Sequence, residues 1–270
     1  MGRSARTVFV VGCALLWLIP LYLLVVNALI PADAYPGEPS WLPEHFALWD
    51  NLRTAWDEAA IGSSFVNSLI YAVVCGAAGV VVAAMAAFAV VVLPVPRPAA
   101  WFWLIYSGTV FPLQIFLAPL FGLYADTNLY DSRLGLMLIY AAWAVPFAFF
   151  LIRNQMTTMP PEVTEAALLD GASFRRLFWQ IHVPLLLPGL GAAFIFQFTA
   201  VWNDLLFGIT LSRSPEVQPV MAALTTLNTA YGSSGPPVIL AGALIVSVPT
   251  LLVFLVFRGL FLRGITTNAS

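Results

Sequence analysis

The densest cluster of chemically capable side chains lies in one polar stretch, residues 154–184, with Glu162, Glu165, Asp170, Arg175, Arg176 and His182. Its pattern suits recognition of a partner better than catalysis. Pro160 and Pro161 stand where a helix can begin, because proline is tolerated in the first turn. Glu162 and Glu165 follow, near the positive end of the helix dipole. Ala166, Ala167, Leu168 and Leu169 continue the helix to Gly171, which suits a C-cap. Ser173 can cap a second helix through Arg175, Arg176, Leu177, Phe178, Trp179 and Ile181 to Pro184. The pattern predicts a helix–turn–helix with a small, smooth tip at Asp170-Gly171-Ala172, a knob shaped for a groove on another protein. A carboxylate at Glu165 can form a charge-assisted pair with an arginine there.

The elements that carry this knob are set by composition. Of 270 residues, 61% are hydrophobic and 9% charged, and the mean hydropathy is +0.91. A soluble chain needs roughly a quarter of its residues charged, so lipid is the solvent for much of this one. Crossing a ~30 Å hydrocarbon core takes about 20 apolar residues in a helix. Six stretches qualify, roughly 8–30, 64–93, 100–124, 134–153, 185–212 and 238–262, within one domain covering 1–270. The first is too long for a signal-peptide core and reads as a retained anchor. Pro20, Pro112, Pro146 and Pro249 lie within spans, where neighbouring helices can satisfy the freed carbonyls.

All eleven basic residues are arginine, and the chain has no lysine. A phosphate-binding P-loop needs a lysine, so any ATPase driving this protein is another chain, and no cofactor is expected on this one. With the N-terminus inside, Arg3, Arg6, Arg97, Arg153, Arg175, Arg176, Arg258 and Arg263 are cytoplasmic, against Arg53, Arg133 and Arg213 outside. That bias predicts a multi-pass protein with both termini cytoplasmic. Segments 31–63, 125–133 and 213–237 then face out. The first carries Asp33, Glu38, Glu44, Asp50, Asp57 and Glu58 with Trp41, Trp49 and Trp56, which suit an interfacial belt. The last, with Pro215, Pro219, Gly232, Ser233, Ser234, Gly235, Pro236 and Pro237, reads as a loop of more than twenty residues.

A second group of candidates lies inside the spans. Asp204 is the one acidic residue there, and such residues face a pathway or a partner or pair with local polar groups near the interface; Trp202 and Asn203 beside it fit either role. Gln197, Gln114, Asn67 and Asn27 could bond a solute's hydroxyls, with Tyr71, Tyr106, Tyr140 and Trp143 to stack on a ring. Buried amides also hold membrane helices together, the commoner role for each. His45 and His182 fall on opposite sides of the membrane and cannot share a metal. Cys13 and Cys75 lie in apolar runs, and no nucleic-acid-type basic patch is present.

Glu165-Ala166-Ala167, three residues, Gly171, nine residues, Ile181, one residue and Val183-Pro184 resemble the EAA loop of binding-protein-dependent ABC importer permeases, with valine for the usual leucine. The run EAALLDGASFRRLFWQIHVPLLLPGL is similar to the carbohydrate-uptake branch, the maltose-type inner-membrane permeases. Asn67-Ser68, Pro112 with Gln114, Trp202-Asn203-Asp204, Gln218-Pro219-Val220 and Arg263-Gly264-Ile265-Thr266 extend the likeness along most of the chain.

The resemblance implies an all-α, six-span permease of type I importer fold that pairs with a second permease as a heterodimer. It further implies a dimer of ATP-binding subunits, which hold the ATP and Mg, and an extracytoplasmic sugar-binding protein. The EAA loop would be a coupling helix docked on the ATPase through Glu165, Ala166, Ala167, Asp170, Gly171 and Ala172, with Pro184 closing the motif. Segment 213–237 would probe the binding protein, and Trp202, Asn203, Asp204, Gln197, Gln114 and Asn67 are the candidates for the pathway or that contact. In the maltose-type arrangement the sugar contacts mainly the partner permease. At Asn268-Ala269-Ser270 the chain departs from the family's Gly- and Lys-containing tail, which leaves a tail contact with the ATPase open. Glycerol-phosphate esters and polyols are the alternative cargoes; with no arginine placed mid-span, a neutral sugar is favoured. An ion-gradient-driven secondary transporter is the alternative of another class, which internal repeats and intramembrane acid–base relays would mark.

Overall fold

The computed structural model describes residues 3–43, 45–228 and 234–266, and within these the chain forms helices and no strands. Glu44, Gly232, Ser233 and the tail Asn268-Ala269-Ser270 lie outside the described residues. Helix α1, Arg3–Ala28, runs through the first apolar stretch, and its apolar window is not buried against the rest of the chain. Asn27 ends it. The Asn27 amide donates to the carbonyls of Leu23 (2.8 Å) and Ser40 (3.0 Å) and accepts from the Ser40 N–H (2.8 Å). That geometry commits the side chain to folding back segment 29–47. Helix α2, Leu48–Glu58, follows, and its buried Asn51 donates to the carbonyls of Ala28 and Ile30.

Helix α3, Ile61–Val92, is one continuous span with a widened π turn at Tyr71–Cys75. It packs along α6, Arg133–Met156, in the most extensive helix–helix contact of the fold. Gly79 makes that approach possible, because a Cβ there would run into Ala144. Ser132 caps α6, accepting from the Gly135 N–H at 3.0 Å.

The third apolar stretch, expected as one span over 100–124, is broken. Helices α4, Pro98–Thr109, and α5, Gln114–Asp126, meet at 88°. Pro112 supplies no N–H and disfavours helical geometry at Phe111. Gly108 beside the break lies against the Pro146 ring of α6, while α6 itself continues through Pro146 without a break.

Helix α7, Pro161–Leu169, is the short helix of the polar stretch. Beyond it α8, Phe174–Trp202, is continuous, where the sequence pattern suggests a short helix ending at Pro184 and a span starting at 185. A π turn at Leu177–His182 ends two residues before Pro184, and its wider turn accommodates the proline ring in the helix. At its other end α8 stops at Trp202, and α9, Leu206–Leu211, restarts after Asn203 and Asp204. The expected span over 185–212 is therefore interrupted at its acidic residue.

The segment expected as a long loop over 213–237 instead contains α10, Val220–Leu224, and a 3-10 turn, Thr225–Asn228. Helix α11, Pro236–Thr266, completes the chain and packs on α1, α2 and α8. Two apolar clusters form the interior. One, at the end near residues 154–184, gathers Phe88, Phe149, Ile152, Leu177, Phe178 and Leu186. The other, towards the opposite end, gathers Tyr71, Tyr140, Phe198, Trp202, Phe207 and Leu211.

Candidate functional site

The polar stretch forms the helix–turn–helix that its caps predict. Proline opens α7, and Gly171 ends it with φ +79°. The Gly171 N–H donates to the Leu168 carbonyl and the Ala172 N–H to the Ala167 carbonyl, both at 3.0 Å. The left-handed conformation at this turn is strained for any residue with a Cβ. Ser173 then caps the next helix, its hydroxyl accepting from the Arg176 N–H at 3.4 Å.

Glu165, Ala166, Asp170 and Gly171 are exposed on this knob. Ala167, expected on the docking surface, is instead buried in the cluster with Leu177 and Phe178, because the helix must seat one face on the bundle. Ala172 is half-buried. Pro184 lies one π turn along α8 and shapes that helix. The exposed knob also presents Leu168, Leu169, Phe174 and Trp179, with Leu169 89% exposed. Leu168, Leu169 and Trp179 read as helix residues in the sequence but not as part of the docking surface; the signal is an apolar pair one residue before the capping glycine of a short polar-surface helix.

A cavity of about 540 Å³ opens between α8 and α11. Phe196, Thr199, Asn203, Ser247, Thr250 and Phe254 are among its lining residues, and none of the described residues that line it is charged. The Asn203 amide donates to the Thr199 carbonyl at 2.9 Å and the Ser247 hydroxyl to the Ala243 carbonyl at 2.7 Å. The buried Thr250 hydroxyl has no hydrogen-bond partner. The wall is mainly aliphatic and aromatic, with a few hydroxyl and amide side chains set into it.

Of the residues expected in a pathway, only Asn203 lines this cavity. Trp202 is buried, its indole N–H donating to the Val246 carbonyl at 2.9 Å. Asp204 is buried and its Oδ2 accepts from the Tyr140 hydroxyl (2.9 Å) and the Gly208 N–H (3.1 Å), so it caps α9. Gln197 is buried where α8 faces Gly76 of α3. Gln114 is exposed at the break between α4 and α5. The expected stacking aromatics are used in packing: Tyr106 on Phe150, Trp143 on Phe207, Tyr71 on Tyr140.

Asn67 belongs to a third constellation, at the end opposite the knob, which fastens segment 211–220. Its amide donates to the carbonyls of Pro215 and Gln218, each at 3.2 Å, and its carbonyl accepts from Arg133 at 3.0 Å. Arg133 also donates to the Glu216 carbonyl at 3.0 Å. Tyr71 donates to the Val217 carbonyl, and Ser68 accepts from the Val220 N–H, both at 2.8 Å. Asp131 Oδ1 accepts from the N–H groups of Arg213 and Ser214 and from the Ser214 hydroxyl, at 2.8 to 3.0 Å. Burial pushes the Asp131 carboxyl up, but these hydrogen bonds and the Arg213 charge together hold it below its ordinary value.

Comparison with known proteins places these features in a family. The family described as "Binding-protein-dependent transport system inner membrane component" matches residues 79–263. The diacetylchitobiose uptake system permease protein NgcG of Streptomyces coelicolor is 31% identical over 246 residues, covering 89% of this chain and 80% of the relative. The sn-glycerol-3-phosphate transport system permease protein UgpE of Yersinia pestis is 29% identical, over 94% of this chain and 92% of its own. Among solved structures, a chain of a bacterial ABC transporter involved in the import of the acidic polysaccharide alginate superposes with a TM-score of 0.75 at 20% identity, over 96% of this chain and 98% of that one.

Proposed function

The chain belongs to the family of inner membrane components of binding-protein-dependent transport systems, and on that premise we propose that it is a permease subunit importing a neutral sugar. Power comes from a separate ATP-binding subunit, which holds the ATP and Mg and docks on the knob formed by α7 and the following turn. Membership of this family displaces the ion-gradient alternative.

The observation that carries the docking role is the exposed knob itself. Glu165 and Asp170 present carboxylates beside the apolar Leu168 and Leu169 on a helix whose other face is seated by Ala167. An apolar tip with an acidic rim suits a groove lined by apolar residues and rimmed by arginine. With that knob cytoplasmic, both termini are cytoplasmic as well, and segment 213–237 probes the binding protein. A second permease subunit completes the channel as a heterodimer.

Two features support a sugar: the relatives include a diacetylchitobiose uptake permease, and the described residues of the cavity wall are uncharged, with Asn203, Thr199 and Ser247 beside phenylalanines. A glycerol-phosphate ester is the second reading, favoured by the likeness to UgpE. The absence of a mid-span arginine from the sequence weighs against it.

The test is affinity purification of the detergent-solubilised chain from its native membrane, with ATPase activity measured in the eluate. The native chain should bring down an ATP-hydrolysing subunit, and a Glu165→Ala/Gly171→Asp double variant at equal expression should lose it. No ATPase with the native chain, even after mild crosslinking, would overturn the proposal. Uptake into vesicles of the purified complex, compared between a neutral disaccharide and sn-glycerol-3-phosphate, separates the two cargo classes.

A further inference from the structure

His182 stands at a junction of three elements. It is the last residue of the π turn at Leu177–His182 and is 3% exposed. Its Nε2 lies 3.2 Å from the Thr164 hydroxyl on α7. Its ring packs edge-on against Phe88 of α3, with centroids 5.2 Å apart. Its Nδ1 is buried and has no hydrogen-bond partner.

Thr164 immediately precedes Glu165, so this contact starts at the docking surface. Among the hydrogen bonds described for α7, it is the one that ties a side chain of the helix to the membrane bundle. The other attachment is apolar, through Ala167 in the cluster of Leu177, Phe178 and Phe149. A short helix with so few anchors moves as a lever only if its push is delivered to a stiff neighbour. Apolar contact resists compression but slides under shear, because it has no directional preference. A hydrogen bond has direction and fixes the register of the two helices.

The π turn gives that push a place to act. Such turns hold an extra residue in the helix and are frequent at functional positions. One that tightens to α geometry turns every residue beyond it about the helix axis. Residues Val183–Trp202 lie beyond this one, including Phe196 and Thr199 on the cavity wall. The unpartnered Nδ1 agrees with a two-state junction: a buried, unsatisfied nitrogen is costly in one arrangement and can be relieved in another.

We infer that the His182–Thr164 hydrogen bond is the mechanical link by which movement of the coupling helix is passed to α8 and its cavity wall, with His182 as a positioning residue. This inference rests on the coupling-helix reading of α7 given above.

The experiment uses the whole importer, co-expressed and reconstituted, on a Cys13→Ser background that removes the exposed native thiol. A single reporter cysteine at Asn203 is labelled with a thiol reagent, with and without ATP plus vanadate. In the native chain, trapping nucleotide should change the labelling rate severalfold. Thr164→Val, which keeps the shape and loses the hydroxyl, and His182→Leu should still co-purify the ATPase and trap nucleotide. Their nucleotide-dependent change at position 203 should shrink by about fivefold to tenfold, the equivalent of one hydrogen bond. His182→Gln, which restores a hydrogen-bonding group, should recover most of it.

A purely structural role would alter assembly or trapping, not the ratio between trapping and the distant response. The link is overturned if Thr164→Val and His182→Leu respond like the native chain. It is equally overturned if both lose the ATPase, since the bond then only builds the docking surface. A native chain that traps nucleotide with no change at position 203 also sinks it. A native chain that brings down no ATPase removes the coupling-helix reading itself, an outcome visible before any variant is compared.

Discussion

Tyr140 of α6 donates its hydroxyl to Oδ2 of Asp204 across 2.9 Å, with both residues buried at the point where α8 ends and α9 begins. The carboxylate also accepts from the Gly208 N–H, so one side chain closes a helix start and ties it to a neighbouring span. Tyr140→Phe removes the hydroxyl while keeping the ring. It should destabilise the fold by about 1–3 kcal/mol, the range for a hydrogen bond lost at a buried, charge-capable acceptor. Thermal unfolding in detergent checks this, and a midpoint equal to the native one would show that Asp204 finds another partner.

The hydrogen bonds at Asp131 predict a dependence on acid. Its folded carboxyl is held below its ordinary value, and the unfolded group titrates near 4. A lowered folded value means the unfolded state takes up protons first. The stabilisation is therefore full above the unfolded value and is lost as pH falls through the lowered folded one. Asp131→Asn should flatten that part of the curve of melting temperature against pH below about 5. An unchanged acid limb would show that other carboxyls govern it.

Arg133 joins α3 to the segment after α9 through Asn67 and the Glu216 carbonyl. Arg133→Ala should loosen residues 213–220 while leaving the spans intact. Limited proteolysis of the purified protein reads this as faster cleavage within that segment at an unchanged overall melting temperature. Cleavage at the native rate would mean that Asp131, Tyr71 and Ser68 suffice.

Gly79 predicts a packing effect. A Cβ there meets Ala144 across the α3–α6 contact, so Gly79→Leu should separate the helices at a cost of about 1–3 kcal/mol. Gly79→Leu combined with Ala144→Gly should recover part of the loss. Melting temperatures of the two variants compare directly.

Gly171 separates conformation from crowding. No atom lies within 4 Å of a Cβ built there, yet φ is +79°. Gly171→Asn should retain the ATPase better than Gly171→Val, because asparagine tolerates the left-handed region and a β-branched residue does not. Equal retention would show that the tip tolerates another backbone shape.

Several of these features were legible in the chain alone. Composition and the lengths of its apolar runs determined that this is a membrane-embedded helical protein, because lipid leaves no other use for so little charge. The caps of the helix–turn–helix were equally readable: Pro161, Gly171 and Ser173 act through neighbours within a few residues. Tertiary structure alone decided what the polar residues inside the bundle do. Asp204 finds its partner 64 positions away and Asn67 one of its partners 148 away, distances that no local pattern encodes. The same holds for Ala167, whose burial depends on Phe178 and Leu177 across the turn. It holds too for the break between α4 and α5, where Pro112 weakens the helix but Pro146 of another helix lies against it through Gly108. Periodicity and capping are short-range and survive in one dimension, whereas satisfying a buried polar group is a contract among helices brought together only by folding.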